Sequence, residues 1–185
     1  MVEFSFAFTT ILVIFGWFCF RLGANLKSRD FCLKREALQL LMLFNLAVIS
    51  RMVFHPMATV DGNIQPLIFE AAAAWPFRLN LVPFVNLFDY ESRRDLLLNV
   101  IGNSTMFIPT GIVVPCLYKN LRSFKKTVLT GFLISLAIEI IQLPFAVRAS
   151  DVDDLILNTL GVVIGYGIWA LVYKLHAKRS AKTCV

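Results

Sequence analysis

EIIQLPFAVRASDVDDLILNTLGVVIG, residues 139–165, is the stretch on which the reading of this chain turns. It sets a carboxylate and an amide, Glu139 and Gln142, inside an otherwise apolar run. It then turns through Pro144 and Arg148 into an acidic cluster of Asp151, Asp153 and Asp154. Apolar sequence resumes with Asn158 still polar and with Gly161 and Gly165 at GxxxG spacing. An ionisable side chain in a membrane-length apolar segment is costly, and by default it marks a functional-site hypothesis.

Composition supports reading the segment that way. Of 185 residues, 58% are hydrophobic and 16% charged, and the mean hydropathy is +0.72. Soluble domains carry about a quarter charged residues, so the apolar excess calls for lipid as solvent. The net charge of +6 does not point to nucleic acid. Its basic residues lie in short runs beside apolar segments, as membrane orientation requires, and no nucleic-acid-binding pattern accompanies them. Cys19, Cys32, Cys116 and Cys184 show no CxxC or Cys/His spacing, and His55 and His176 are isolated. No metal site from these residue types and no cofactor is expected.

Five apolar runs have membrane length, which is about 17–25 residues: Phe4–Phe20, Ala37–Phe54, Leu96–Leu117, Val128–Ala146 and Leu155–Leu175. Glu3 stands where a signal peptide would be basic, so the first run reads as an uncleaved transmembrane helix. Arg51 reads as snorkelling to the headgroups or meeting an acid. Pro109 and Pro115 predict a kink or local unwinding in the third span. Residues 55–95, rich in proline and aromatics (Trp75, Phe77, Phe84, Phe88, Tyr90), read as an interfacial segment, or as re-entrant through AAAAWPF. The expected fold is thus one all-α polytopic membrane bundle over residues 1–185. It has about five transmembrane helices, with the interfacial or re-entrant extracellular segment between the second and third.

Charge orients it. Residues 21–36, the connection at 119–126 and the tail from Lys174 hold most of the 18 Lys and Arg. The opposite side has Arg78, Arg93, Arg94 and Arg148. Positive-inside then puts the N-terminus outside and the C-terminus in the cytoplasm. All four cysteines fall near the cytoplasmic side and are expected to be reduced.

In that frame Asn99, Asn103, Glu139, Gln142 and Asn158 share the outer half of the membrane. Asp95, Asn99 and Asn103 recur at four, and Asp151, Asp154, Asn158, Gly161 and Gly165 form one stripe. The glycine end suits close helix packing and the polar end suits a shared pocket. Ser150 with Asp153 resembles a capping box, which assigns Asp153 to the helix terminus.

The motifs resemble the VanZ-like family of bacterial membrane proteins. The matching pieces are Asn80-Leu-Val-Pro83-Phe84, Asn99-x3-Asn103-x3-Phe107-x-Pro109-x-Gly111, Glu139-x2-Gln142 and Arg148-x2-Asp151-x2-Asp154-x3-Asn158-x2-Gly161-x3-Gly165, all within residues 78–175. The resemblance implies association with low-level resistance to the glycopeptide teicoplanin; it supplies no catalytic mechanism.

Three readings stay open. In the first, an outward-facing pocket of Asn99, Asn103, Glu139, Gln142, Asp151, Asp154 and Asn158, with Arg78, Asn80 and Arg148, binds a lipid-linked cell-wall component or a lipid-anchored glycopeptide. Membrane lipids are the other expected partners, nucleic acid is not one, and oligomeric state is left open. In the second, an intramembrane enzyme uses Glu139 as general acid or base, with Asp151 and Asp154 able to hold a divalent cation; no GxSxG, HExxH or Cys/His signature accompanies it. Ion or proton transport is the third, and polar residues are missing from the inner half. On the expected topology, a membrane-impermeant thiol reagent added to intact cells labels single cysteines at positions 60 and 150. Labelling at neither position overturns it.

Overall fold

The structure, a computed structural model, describes residues 2–25, 32–55, 59–70, 72, 79–85, 92–145 and 150–183. Five long helices carry the fold: α1 Phe6–Asn25, α2 Leu33–Phe54, α3 Arg93–Leu117, α4 Phe124–Gln142 and α5 Val152–Thr183. At about 1.5 Å per residue, the shortest, with 19 residues, still reaches nearly across a hydrocarbon core. Four of them are long and apolar enough to cross a membrane by composition. The remaining helix, α4, carries Lys125 and Lys126 in its first turn and Glu139 near its end.

Helices α2 to α5 begin earlier than their apolar runs because polar and charged first turns are still helical. Ser92 caps α3 by accepting the Arg94 N–H, and Ser123 caps α4 by accepting the Lys126 N–H. α4 stops at Gln142, ahead of Pro144, instead of reaching Ala146. α3 runs through Pro109 and Pro115 without unwinding. Near Pro109 it is tied to α2 instead: Asn45 Nδ2 donates to the Met106 carbonyl at 2.8 Å, and the Thr110 hydroxyl donates to Asn45 Oδ1 at 3.0 Å.

The segment between α2 and α3 is described only in part. Its described parts are short strands: β2 Thr59–Val60, β3 Asn63–Ile64, β4 Leu67–Phe69 and β5 Leu79–Asn80. β2 and β3 pair across Asp61 and Gly62, both at positive φ (50° and 75°), the geometry of a tight hairpin. β4 pairs antiparallel with β1, Val2–Phe4, ahead of α1. β5 pairs in parallel with β6, Ser150–Asp151, immediately before α5. Most of AAAAWPF, with Trp75, Phe88 and Tyr90, lies outside the described residues.

The burial pattern is that of a chain solvated by lipid. Ile11, Phe15, Phe44, Leu98 and Leu171 face outward. Side chains fully inside include His55, Asn158, Thr110, Thr127 and Ser135. With tails as apolar as leucine outside, helices associate through close packing and polar contacts. His55 is one such joint: its Nε2 lies 2.8 Å from the Thr9 hydroxyl on α1, and its Nδ1 3.2 Å from the Gln65 carbonyl. Arg51 is half-buried, donating to the His55 carbonyl at 3.1 Å with its guanidinium 5.8 Å from the centroid of the Phe6 ring. Arg21 pairs with Glu36 across the α1–α2 connection. Cys19, Cys32 and Cys116 are free thiols.

The most extensive helix contact is α3 on α5, and glycine makes it. A Cβ at residue 161 would overlap the Ser104 carbonyl oxygen, and one at residue 165 the Ile108 carbonyl oxygen. Gly111 faces the Val162 carbonyl from the other side, and Gly131 of α4 seats the Val162 side chain. Phe107, Met106, Ile49 and Val162 fill the core beside this seam.

Two predictions follow from these positions. Val60 is exposed whereas Ser150 is buried, so Val60→Cys is the position that reports topology in intact cells. Gly161→Ala, forced against backbone, should cost about 1–3 kcal/mol. Gly167→Ala meets nothing within 4 Å and should leave stability unchanged or raise it by up to about 1 kcal/mol. Thermal unfolding of the detergent-solubilised proteins checks the pair; equal effects would refute the seam.

Candidate functional site

Above the glycine seam, α3 and α5 carry polar side chains where glycine no longer holds them together. A cleft of about 860 Å³ opens there among α2, α3, α4 and α5. Asn99 and Asn103 line it from α3, Glu139 and Gln142 from the end of α4, and Asp154 and Asn158 from the start of α5. Met52 and Val53 close it from α2. Leu97, Leu98 and Ile101 form an apolar lip that is more than half exposed.

The side chains are held by one another. Glu139 is buried, and its Oε2 accepts the Ser150 hydroxyl at 2.9 Å and the Asp151 backbone N–H at 3.1 Å. The end of α4 is thereby fastened to the strand that starts α5. Gln142 Nε2 donates to the Val53 carbonyl at 3.0 Å, fixing α4 to α2. Asn158 Nδ2 donates to the Ser135 hydroxyl at 2.9 Å, fixing α5 to α4. Asn103 Nδ2 donates to Asp154 Oδ1, fixing α3 to α5.

The acidic cluster divides its labour differently from the expected capping box. Ser150 gives its hydroxyl to Glu139, so it does not cap. Asp151 caps α5, its Oδ1 accepting the Asp153 N–H at 2.9 Å, and it also accepts Asn80 Nδ2 at 3.2 Å. Asp153, expected as the cap, instead accepts the backbone N–H of Phe84 at 2.8 Å. That bond helps hold Phe84 at φ 67°, a conformation that bulky side chains rarely adopt. Only Asp154 of the three lines the cleft.

Of the residues expected to share a pocket, Asn99, Asn103, Glu139, Gln142, Asp154 and Asn158 come together. Asp151 and Asn80 stand behind them as supports. Arg78 and Arg148 lie outside the described residues. Among the described residues, no three His, Cys, Asp or Glu side chains gather as a metal-binding group. Sequence reading missed Ser135, although Thr127, Gly131, Ser135 and Glu139 repeat at four and all are buried. It also missed Arg94 at the cleft and the contribution of α2, whose Val53 supplies a backbone carbonyl.

The model of the VanZ/LLP1 family matches residues 41–173 of the chain. The chain belongs to the VanZ/LLP1 family. Protein VanZ of Enterococcus faecium is 34% identical over 93 residues, covering 50% of this chain and 53% of that protein. The chain thus spans about half the length of the curated relative it matches. No solved structure matches it. The VanZ/LLP1 match begins inside α2, earlier than the motifs at 78–175, so it takes in Asn45 and Val53 as well as every described polar residue of the cleft.

The Glu139 hub makes a stability prediction for this VanZ/LLP1 protein. Glu139→Ala takes the acceptor from the Asp151 N–H and leaves the Ser150 hydroxyl only the Glu139 backbone carbonyl at 3.3 Å, and should cost about 1–3 kcal/mol. Glu139→Gln keeps an acceptor oxygen and should cost about half as much or less. Thermal unfolding in detergent checks the order; Gln as damaging as Ala would refute it.

Proposed function

We propose that this VanZ/LLP1 protein is a multi-pass protein of the bacterial cell membrane that lowers sensitivity to teicoplanin-type glycopeptides. In this reading the cleft faces the outer leaflet, with the N-terminus outside and the C-terminus cytoplasmic. It holds either a lipid-linked cell-wall component or the lipid-anchored drug. The supporting observation is the composition of the cleft: polar side chains from α3, α4 and α5 stand behind an apolar lip of Leu97, Leu98 and Ile101. A ligand with a polar head and a hydrocarbon tail fits such a wall, because the tail never leaves lipid while the head is desolvated against fixed partners.

A second reading, catalysis on a lipid-linked or phosphate-bearing substrate, is favoured by Glu139 and Asp154 lining the same space. Against it, the contacts described for Glu139 serve to anchor Ser150 and Asp151. Asp154→Asn separates the two: a binder keeps most of its effect, whereas an enzyme dependent on that carboxylate loses all of it.

The test is expression in a susceptible Gram-positive host. Wild type should reduce teicoplanin sensitivity several-fold and vancomycin sensitivity less. Gly102→Trp, which projects into the cleft from a position where an added Cβ meets nothing within 4 Å, should restore host sensitivity at equal membrane abundance. Wild type without effect on teicoplanin would end the resistance reading.

A further inference from the structure

Three amides of the cleft each turn an N–H into the protein. Gln142 spends one on the Val53 carbonyl, Asn158 one on Ser135 and Asn103 one on Asp154. Each keeps a second N–H, and two of them also keep an oxygen that no described residue satisfies. Gln142 Oε1 and Asn158 Oδ1 are buried and have no hydrogen-bond partner among the described residues. The residues that carry them are 5% and 2% exposed, and both line the cleft. A buried acceptor without a donor is destabilising, more so where lipid excludes water. Two such oxygens, on different helices and at one cavity, are a poor packing solution but a good recognition surface.

The carboxyl groups of Glu139 and Asp154 add further acceptors to the same wall. Among the described lining residues the one cation is Arg94, exposed in the first turn of α3. A phosphate meeting these two amide oxygens would bring acceptors to acceptors. A hydroxyl or ammonium group would bring the donors that Gln142 and Asn158 lack. A bound metal ion is less suited, since no three His, Cys, Asp or Glu side chains gather among the described residues.

Resting on the cleft-binding reading above, we infer that the inner wall recognises a hydrogen-bond-donating lipid head group. Sugar hydroxyls or a primary ammonium would donate to Gln142 Oε1 and Asn158 Oδ1, and any phosphate of the ligand would stay outside this wall. The specificity lies in which half of each amide faces the ligand. For Gln142 it is set by the Val53 carbonyl, which can only accept, and for Asn158 the N–H goes to the Ser135 hydroxyl.

The experiment uses the full chain in phosphatidylcholine nanodiscs, a lipid without a head-group donor. Three lipids are mixed in separately: a glucosyl-diacylglycerol, a phosphatidylethanolamine, and a phosphatidylmethanol, which is anionic and also lacks a donor. Native mass spectrometry reads the lipid retained by the protein. One or both donor lipids should be enriched about tenfold over phosphatidylcholine, as two recovered hydrogen bonds imply. Phosphatidylmethanol should not be enriched. Gly102→Trp should abolish the enrichment, placing it in the cleft. Preference for the glucosyl lipid assigns hydroxyls, and preference for the ethanolamine lipid assigns the ammonium. Enrichment of phosphatidylmethanol that is lost in Gly102→Trp overturns the donor inference while leaving a binding cleft. Absence of any enrichment sensitive to Gly102→Trp overturns both.

Discussion

The carbonyl oxygens of Ser104 and Ile108 on α3 occupy the space that side chains at residues 161 and 165 would need. This backbone-on-glycine approach sets the separation of α3 and α5, and much else depends on it. With the axes this close, Asn103, next to Ser104 on α3, reaches Asp154 of α5 directly. Val162 can then fill the hollow left by Gly131 on α4. In lipid no hydrophobic force draws helices together, so dispersion and polar contacts at short range must do it. Glycine supplies the short range.

The polar joints divide into two kinds. Asn45 with Thr110, and His55 with Thr9 and Gln65, join α2 to its neighbours and are satisfied where they stand. Gln142 and Asn158 of the cleft are satisfied on one side only, each leaving an acceptor oxygen at a cavity. Polar groups inside a membrane protein thus serve packing or recognition according to whether their hydrogen-bonding capacity is exhausted.

The sequence made the helices legible because membrane span length is a bulk property, readable from hydropathy alone. The grouping of Asn99, Asn103, Glu139, Gln142, Asp154 and Asn158 was legible from helical spacing combined with relative depth. GxxxG announced a close approach, though not its partner, since nothing in Gly161 or Gly165 names Ser104 or Ile108. The strands were illegible because two- and three-residue ladders have no periodicity to read. Asp153 was misread because its partner is a backbone N–H far along the chain at Phe84, whereas a capping box is a local pattern. Ser135 is different: its four-residue repeat with Thr127, Gly131 and Glu139 is legible in the sequence.

The parallel pair of β5 and β6 joins Leu79–Asn80 to Ser150–Asp151. Two complete helices, α3 and α4, separate these strands along the chain. The ladder therefore cannot close until both helices are in place and the chain has returned to the same end of the bundle. Glu139 receives its donors from this returning segment, and Asp153 clamps Phe84 only once α5 has started. The cleft wall is in this sense a late product of assembly, finished when the last helix docks. A chain stopped in the course of membrane insertion would have its spans without its site.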